Sequence, residues 1–301
     1  MMRPWLVWTL VAIICWGFWA VLGRLTSLSA ALLQVLSTAG ILPVLILLAL
    51  SGRLTATGNR RQGVALAFAS GLVTCFGNIA YYDVLNRGEK AATVVPLTAL
   101  YPLVTVVLAL IFLKEKLNAW QRLGIAFSLM AIWLFNVPSA KGLVSPWLTA
   151  ALIPIVFWGV AGLLQKLATN QISGELSTLW FLSAFIPVAI VLWLRDPMSW
   201  SAVAEHTAVA VAVGLTFALG NFALLCAFAK EGKASVIAPL AGLYPLISIP
   251  IAIIGLQERI GARESAGIAI ALLSVVALSR ESAGQPNPAP AKAAVKNEIH
   301  P

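Results

Sequence analysis

The chain has 301 residues, of which 60 % are hydrophobic and 10 % charged, and its mean hydropathy is +0.92. A water-soluble domain carries about a quarter of its residues as charges and has no core large enough to hide this much apolar surface, so a soluble fold is excluded. The formal charge of +9 does not mark a nucleic-acid binder either, because the Lys and Arg are scattered between apolar runs and form no solvated basic face.

Crossing about 30 Å of hydrocarbon takes about 20 apolar residues in a helix, and only helices or closed barrels satisfy every backbone group there. The apolar runs are continuous, with no alternation of period two, so they predict helices. The first five run from Trp5 to Gly23, Ala30 to Leu50, Gly63 to Leu85, Ala91 to Leu113 and Ala119 to Val137. The second five run from Trp147 to Leu164, Leu176 to Leu194, Ala208 to Ala229, Ala234 to Leu256 and Arg263 to Ser279. A cleaved signal peptide is not expected at the start, since the first run lacks a small-x-small site and its Trp16-Gly17 pair recurs later in the chain. Breakers and charges collect between the runs, as in Ser51-Gly52-Arg53, Asn86-Arg87-Gly88-Glu89-Lys90, Pro138 to Gly142 and Arg195-Asp196-Pro197. From residue 281 to Pro301 the chain turns to Pro, Ala, Lys and Asn and is expected to be a disordered cytoplasmic tail.

An even number of crossings puts both ends on one side. With the N-terminus inside, Arg53, Arg60, Arg61, Lys114, Lys116, Arg122, Lys230 and Lys233 join both termini on the inner face, which orients the protein with its ends in the cytoplasm of a plasma membrane, a bacterial inner membrane.

Self-similarity is the strongest signal. Gly71 to Asn78 matches Gly214 to Asn221, and the register continues without a gap for about 56 residues, roughly 20 of them identical. Pro96-Leu97-Thr98-Ala99-Leu100-Tyr101-Pro102-Leu103 faces Pro239-Leu240-Ala241-Gly242-Leu243-Tyr244-Pro245-Leu246, Glu115-Lys116 faces Glu258-Arg259, and Gly124-Ile125-Ala126 faces Gly267-Ile268-Ala269. One residue out of that register, Trp16-Gly17 and Arg24 align with Trp158-Gly159 and Lys166. Two units follow, residues 1–140 and 141–280, each with five crossings. An odd number of crossings forces the second unit into the membrane from the opposite face, and such inverted repeats suit exchange between outward-open and inward-open shapes around a midplane site.

The duplicated Pro-Leu-x-x-Leu-Tyr-Pro-Leu helix, its Leu-x-Glu-Lys/Arg ending and the Gly-Ile-Ala helix resemble the drug/metabolite transporter superfamily, in particular its ten-helix EamA-type members. The resemblance runs from Trp5 to about Ser279. It implies an all-α integral membrane protein of two inverted five-helix repeats, an exporter or exchanger of amino acids or related metabolites, and a central cavity near the third, fourth, eighth and ninth helices with the first and sixth as gates.

Several residues are candidates for the substrate pathway. Pro96, Pro102, Pro239, Pro245 and Pro250 each free a carbonyl inside a span, which lipid tolerates only where the helix faces protein or a wet cavity. Tyr101 and Tyr244 offer a hydroxyl beside an aromatic face; the opposing reading is an interfacial tyrosine. Asn78 and Asn221 need partners in a low-dielectric region, from a neighbouring helix or a solute. Trp16, Trp19 and Trp158 lie too deep for a headgroup belt, unlike Trp5, Trp8, Trp147, Trp193 and Trp200. Tyr81, Tyr82 and Asp83 form a polar group toward the end of the third helix, with Asp83 a candidate for coupling or gating. Arg24 and Lys166 end matching helices, where they attract an anionic solute or snorkel to headgroups. Glu115 and Glu258 are expected to organise helix ends.

No catalytic set is visible, as the only histidines, His206 and His300, lie outside the predicted spans. Cys15, Cys75 and Cys226 have no ligand-like spacing, so no metal or cofactor is expected. The first helix, reading Ile13 to Trp19, lacks the glutamate on which small multidrug relatives depend, which argues against proton-coupled export of cationic drugs. The expected partners are a small-molecule substrate and the lipid bilayer, with a homodimer compatible and no nucleic acid. A non-transporting membrane scaffold, a partner subunit and a passive channel are the competing readings.

Overall fold

The structure, a computed structural model, describes residues 4–112, 117–135, 146–195, 200–230 and 234–280, with the backbone alone at 200–203 and 234–235. Glu115, Lys233, the Pro138 to Gly142 and Asp196-Pro197 connections and the tail 281–301 lie outside the described residues.

Among the described residues the chain is helical, with no strand beyond an isolated bridge between Ala56 and Ile172. In order come α1 (Pro4–Leu22), α2 (Ala30–Leu50), α3 (Arg60–Asn86), α4 (Ala91–Thr98), α5 (Pro102–Phe112) and α6 (Ala119–Phe135). The second half supplies α7 (Pro146–Thr169), α8 (Gly174–Ser183), α9 (Phe185–Arg195), α10 (Trp200–Ala229), α11 (Ala234–Ala241), α12 (Pro245–Pro250) and α13 (Ala262–Leu278). Starts are written locally in the sequence: Ser29, Asn59 and Ser173 each accept the amide proton three residues on, satisfying one of the free donors of α2, α3 and α8.

Three of the expected helices are broken in two. Pro102 has no N–H for the Thr98 carbonyl, so the chain tightens there, with Tyr101 N–H donating to Thr98 and Val104 N–H to Tyr101. Tyr244 and Ile247 repeat the arrangement before and after Pro245. The breaks therefore sit at residues 99–101 and 242–244, while Pro96 and Pro239 stay inside α4 and α11. A third break, at Ala184 between α8 and α9, was not expected from the sequence; its cause is Pro187, which cannot serve the carbonyl of Ser183.

Among the described residues eight segments are long and apolar enough to cross a membrane: Pro4–Leu25, Ala30–Leu50, Arg60–Asn86, Ala91–Phe112, Pro146–Thr169, Gly174–Arg195, Ala204–Ala229 and Val236–Gly255. Among the described residues α6 and α13 are shorter, with 17 residues apiece. Large apolar side chains face outward all round, Leu47, Leu50, Ile111, Phe112, Trp133, Leu194 and Ile254 among them, as a lipid-facing surface requires.

The closest helix pairs cross between the halves, and each is antiparallel. Gly63 lies against Gln171 and Ile172 while Gly77 lies against Phe157 and Trp158, which sets α3 against α7 in opposite directions. Ser27 reaches His206 at 3.0 Å while Gly220 meets Cys15 and Trp16, so α1 and α10 form the matching pair. In the third pair Gly124 meets Leu278, Ser128 bonds Ser274 at 2.6 Å and Phe135 covers Gly267. Small residues at these crossings admit close backbone approach, which replaces the missing hydrophobic drive between helices in lipid. The two repeats are thus interlocked along their length.

Candidate functional site

Helical spacing brings the site together. Trp16 and Trp19 on α1, Thr74 and Asn78 on α3, and Trp158, Gly162 and Gln165 on α7 each project from one face at steps of three or four residues. Phe217, Asn221, Leu224 and Phe228 do the same on α10, and Tyr101 and Tyr244 enter from the breaks before α5 and α12. Together they enclose a cavity of about 40 Å³, room for about three waters by that measure. Among the described residues no Asp, Glu, Lys, Arg or His is in its lining.

The repeat is visible in the wall. Trp158 stands edge-on to Tyr101, ring centroids 6.2 Å apart at 88°, and Trp16 stands edge-on to Tyr244 at 6.2 Å and 85°. A methyl on Gly77 would fall 2.7 Å from the Trp158 ring, and one on Gly220 closer still to Trp16, so both tryptophans rest on bare backbone. Their hydrogen bonds differ. Trp158 Nε1 donates to Asn78 Oδ1 at 3.0 Å, whereas Asn221, the counterpart of Asn78, donates its Nδ2 to the Phe217 carbonyl of its own helix at 2.9 Å.

One end of the cavity is filled. Trp19 stacks on Tyr81 at 5.2 Å, meets Phe217 at 5.5 Å and Trp158 at 5.6 Å, and donates Nε1 to the Tyr82 hydroxyl at 2.9 Å. Tyr81 in turn donates its hydroxyl to the Ala20 carbonyl at 2.6 Å. Tyr81 and Tyr82 therefore back the wall from behind Trp19. Asp83 is separated from them: it turns outward to Arg87, which donates Nε at 2.9 Å, and its side chain is 46 % exposed. In the other direction the lining continues through Ala161, Gly162, Gln165, Leu224 and Phe228 toward the ends of α7 and α10.

Beyond the filled end the two halves are latched. The Glu258 carboxylate accepts from the amides of Ala91 at 2.9 Å and Ala92 at 2.8 Å, which are free donors at the positive start of α4. Gln257, with φ +56°, takes the left-handed conformation just after the π-helical turn Ile251–Gly255 that continues α12, and the chain turns there to bring Glu258 to α4. Beside it Lys90 Nζ donates to both oxygens of Glu264 at 2.9 Å, and Thr93 Oγ1 donates to the same carboxylate at 3.2 Å. Burial pushes the Glu89 carboxyl above the usual range, with the Lys90 charge opposing that rise. In the repeat register Gln121 stands where Glu264 does, so the opposite end carries an amide in place of the acid.

Of the remaining candidates, Arg24 donates to the Leu85 carbonyl at 2.9 Å and Lys166 to the matching Phe228 carbonyl at 3.4 Å, each tying a helix end. Pro96 and Pro239 lie within helices beside the cavity and not among its lining. Sequence reasoning missed Thr74, Gln165, Phe217 and Phe228. The available signal was spacing, since Thr74 is one turn from Asn78, Gln165 two turns from Trp158, and Phe217 and Phe228 flank Asn221 by one and two turns. Among the described residues no group of His, Cys, Asp or Glu is arranged to hold a metal ion.

Comparison with known proteins agrees with this duplication. The model of the EamA-like transporter family matches twice, over residues 3–137 and 145–280. An uncharacterised protein of Methanocaldococcus jannaschii is 37 % identical over 71 residues, 24 % of this chain, and the chain spans about half (51 %) of that relative's length. A solved crystal structure superposes with a TM-score of 0.61 over 92 % of this chain and 96 % of that one; at 17 % identity the likeness is one of fold.

Proposed function

The chain belongs to the EamA-like transporter family, and from that premise we propose that it is a secondary transporter carrying a small organic metabolite, an amino acid or related solute, by alternating access. The observation that carries this reading is the cavity on the seam between matched halves, walled by the pairs Trp16 and Trp158, Tyr101 and Tyr244, Asn78 and Asn221. Helices that meet antiparallel across that seam have a nearly equivalent packing in the mirrored arrangement, so the two shapes differ little in free energy.

In this reading the chain crosses the membrane ten times, with α6 and α13 as a short pair packed on each other and both termini cytoplasmic in a plasma membrane. The Glu258 and Lys90 latch then lies outside, the Trp19 plug below it, and the cavity points inward. A metabolite enters when α7 and α10 part at the cytoplasmic end and leaves when the latch opens. Asp83, Arg24 and Lys166 act at helix ends; the substrate-pathway residues are the cavity walls with the Tyr81 and Tyr82 backing and the Pro96 and Pro239 helices.

Flux into proteoliposomes tests the proposal, with labelled amino acids, amines and nucleotide sugars, with and without a pH gradient. Saturable uptake of one class that falls at least tenfold in Tyr101→Ala or Tyr244→Ala supports it. A panel in which nothing moves, with both variants harmless in cells, leaves a scaffold. Cysteine labelling should find residues 87–90 and 230–233 on opposite sides of the membrane, and finding them on one side removes the inversion and the mechanism together.

A further inference from the structure

Two hydrogen-bond donors line the cavity with nothing to donate to. Trp16 is 8 % exposed and Tyr244 2 %, and neither Trp16 Nε1 nor the Tyr244 hydroxyl has a hydrogen-bond partner. The hydroxyl's neighbour is that of Thr98, which lies outside hydrogen-bond geometry and commits its own proton to the Val94 and Val95 carbonyls. The repeat supplies an internal control. At the matched positions Trp158 Nε1 is taken by Asn78, and the Tyr101 hydroxyl donates to the Ala238 carbonyl at 3.3 Å. Asn221, which would quench Trp16 by symmetry, has its amide turned to Phe217.

The two unpaired groups form one patch, since their rings meet edge to face at 6.2 Å. Buried donors left unpaired are unfavourable, and an acceptor that reaches them recovers that loss. Charge narrows the choice of acceptor. Among the described residues the lining holds no ionisable group other than the two tyrosines and is otherwise aromatic, aliphatic and amide-bearing with the Thr74 hydroxyl, so a solute with net charge would enter a low-dielectric space without a counter-ion.

Resting on the transporter reading above, we infer that Trp16 and Tyr244 are a donor pair for the carbonyl oxygen of a solute with no net charge, an amide or lactam in chemical class, whose flat apolar body lies against Trp158, Phe217 and Phe228. The empty volume is small, so the body is admitted as α7 and α10 separate while the carbonyl end stays on the α1 and α12 side.

Ligand-observed NMR titration of the full chain in lipid nanodiscs tests this with three probes of one shape at pH 7: benzamide, benzoate and benzylammonium. Benzamide should bind at least tenfold more tightly than either ion. Tyr244→Phe removes only the hydroxyl and keeps the ring; it and Trp16→Phe should each weaken benzamide by about three- to tenfold, the worth of one hydrogen bond. Melting temperatures near that of the parent protein keep the two variants interpretable, and Tyr244→Phe serves if Trp16→Phe unfolds. The inference is overturned if benzamide does not bind, if either ion binds as tightly, or if benzamide affinity is unchanged in Tyr244→Phe. Because binding is read without flux, an inert proteoliposome assay would sink the transporter reading and leave this result standing.

Discussion

On one side of the cavity Trp19, Tyr81, Tyr82 and Phe217 fill the space between α1, α3 and α10; at the matched positions the chain carries Ala161, Leu224, Leu225 and Thr74. The backbones of the two halves repeat each other, yet in these four pairs the rings lie on one side and the small or aliphatic residues on the other, with Phe228 against Leu85 a pair that runs the opposite way. A strictly symmetric chain would have equal preference for either shape. This one places the larger side chains of those pairs at one end, so the filling of the cavity's two ends differs through side chains as well as backbone. The latch follows the same bias, with Glu264 at the filled end and Gln121 at the other.

The largest way to break that difference is to empty the plug. Trp19 is 4 % exposed and touches four aromatic rings, and Trp19→Ala should cost about 3 kcal/mol or more of stability. The measurement is thermal unfolding in detergent, with a lipid vesicle assay expected to show leak of the transported solute. An unchanged melting temperature would mean the rings are not a unit.

Making the two ends alike from the other direction is the next test. Ala161→Trp puts a ring where the lining is open, and overpacking there should cost about 1–3 kcal/mol while abolishing uptake. Full uptake in that variant would show that the solute does not pass Ala161.

Glu258→Ala removes the carboxylate from the start of α4 and should destabilise the closed latch by about 1 kcal/mol, a cap lost from a half-buried helix end. Maleimide labelling of a cysteine placed at Leu85 should then become several-fold faster, and equal rates would show that the latch does not hold this end shut.

Glu264→Gln gives the filled end the residue of the other. The ion pair is partly exposed, 43 % at Lys90 and 28 % at Glu264, and screening leaves it worth about 0.5 kcal/mol. The same labelling assay should show an effect smaller than that of Glu258→Ala and weaker still at high salt.

Much of the site was legible from the repeat. Once Gly71 to Asn78 is set on Gly214 to Asn221, the paired tryptophans, tyrosines and asparagines fall on corresponding faces, and all six line the cavity. Thr74 and Gln165 were within reach of the same periodicity. Asp83 was misleading because one residue along a helix turns a side chain by about 100°, so it sits in solvent while Tyr81 and Tyr82 are buried. The break at Ala184 was overlooked because Pro43, placed after its N-cap Ser29 as Pro187 is after Ser173, leaves α2 continuous, so a proline at that position does not by itself announce a break.

Hydrophobic length, charge placement and internal repetition are properties of a linear string, and they alone determined a helical membrane protein of two related halves in which matched residues meet. What they do not contain is which helix of one half lies against which of the other. Glu258 is 167 residues from Ala91, and Trp158 is 80 from Asn78. Only the folded arrangement decided that α1 pairs with α10 and α3 with α7, that Glu258 caps α4, and that one tryptophan N–H is satisfied while its twin is not. A hydrogen bond is settled by tenths of an ångström and by the turn of one amide group, and symmetry of sequence does not reach that scale.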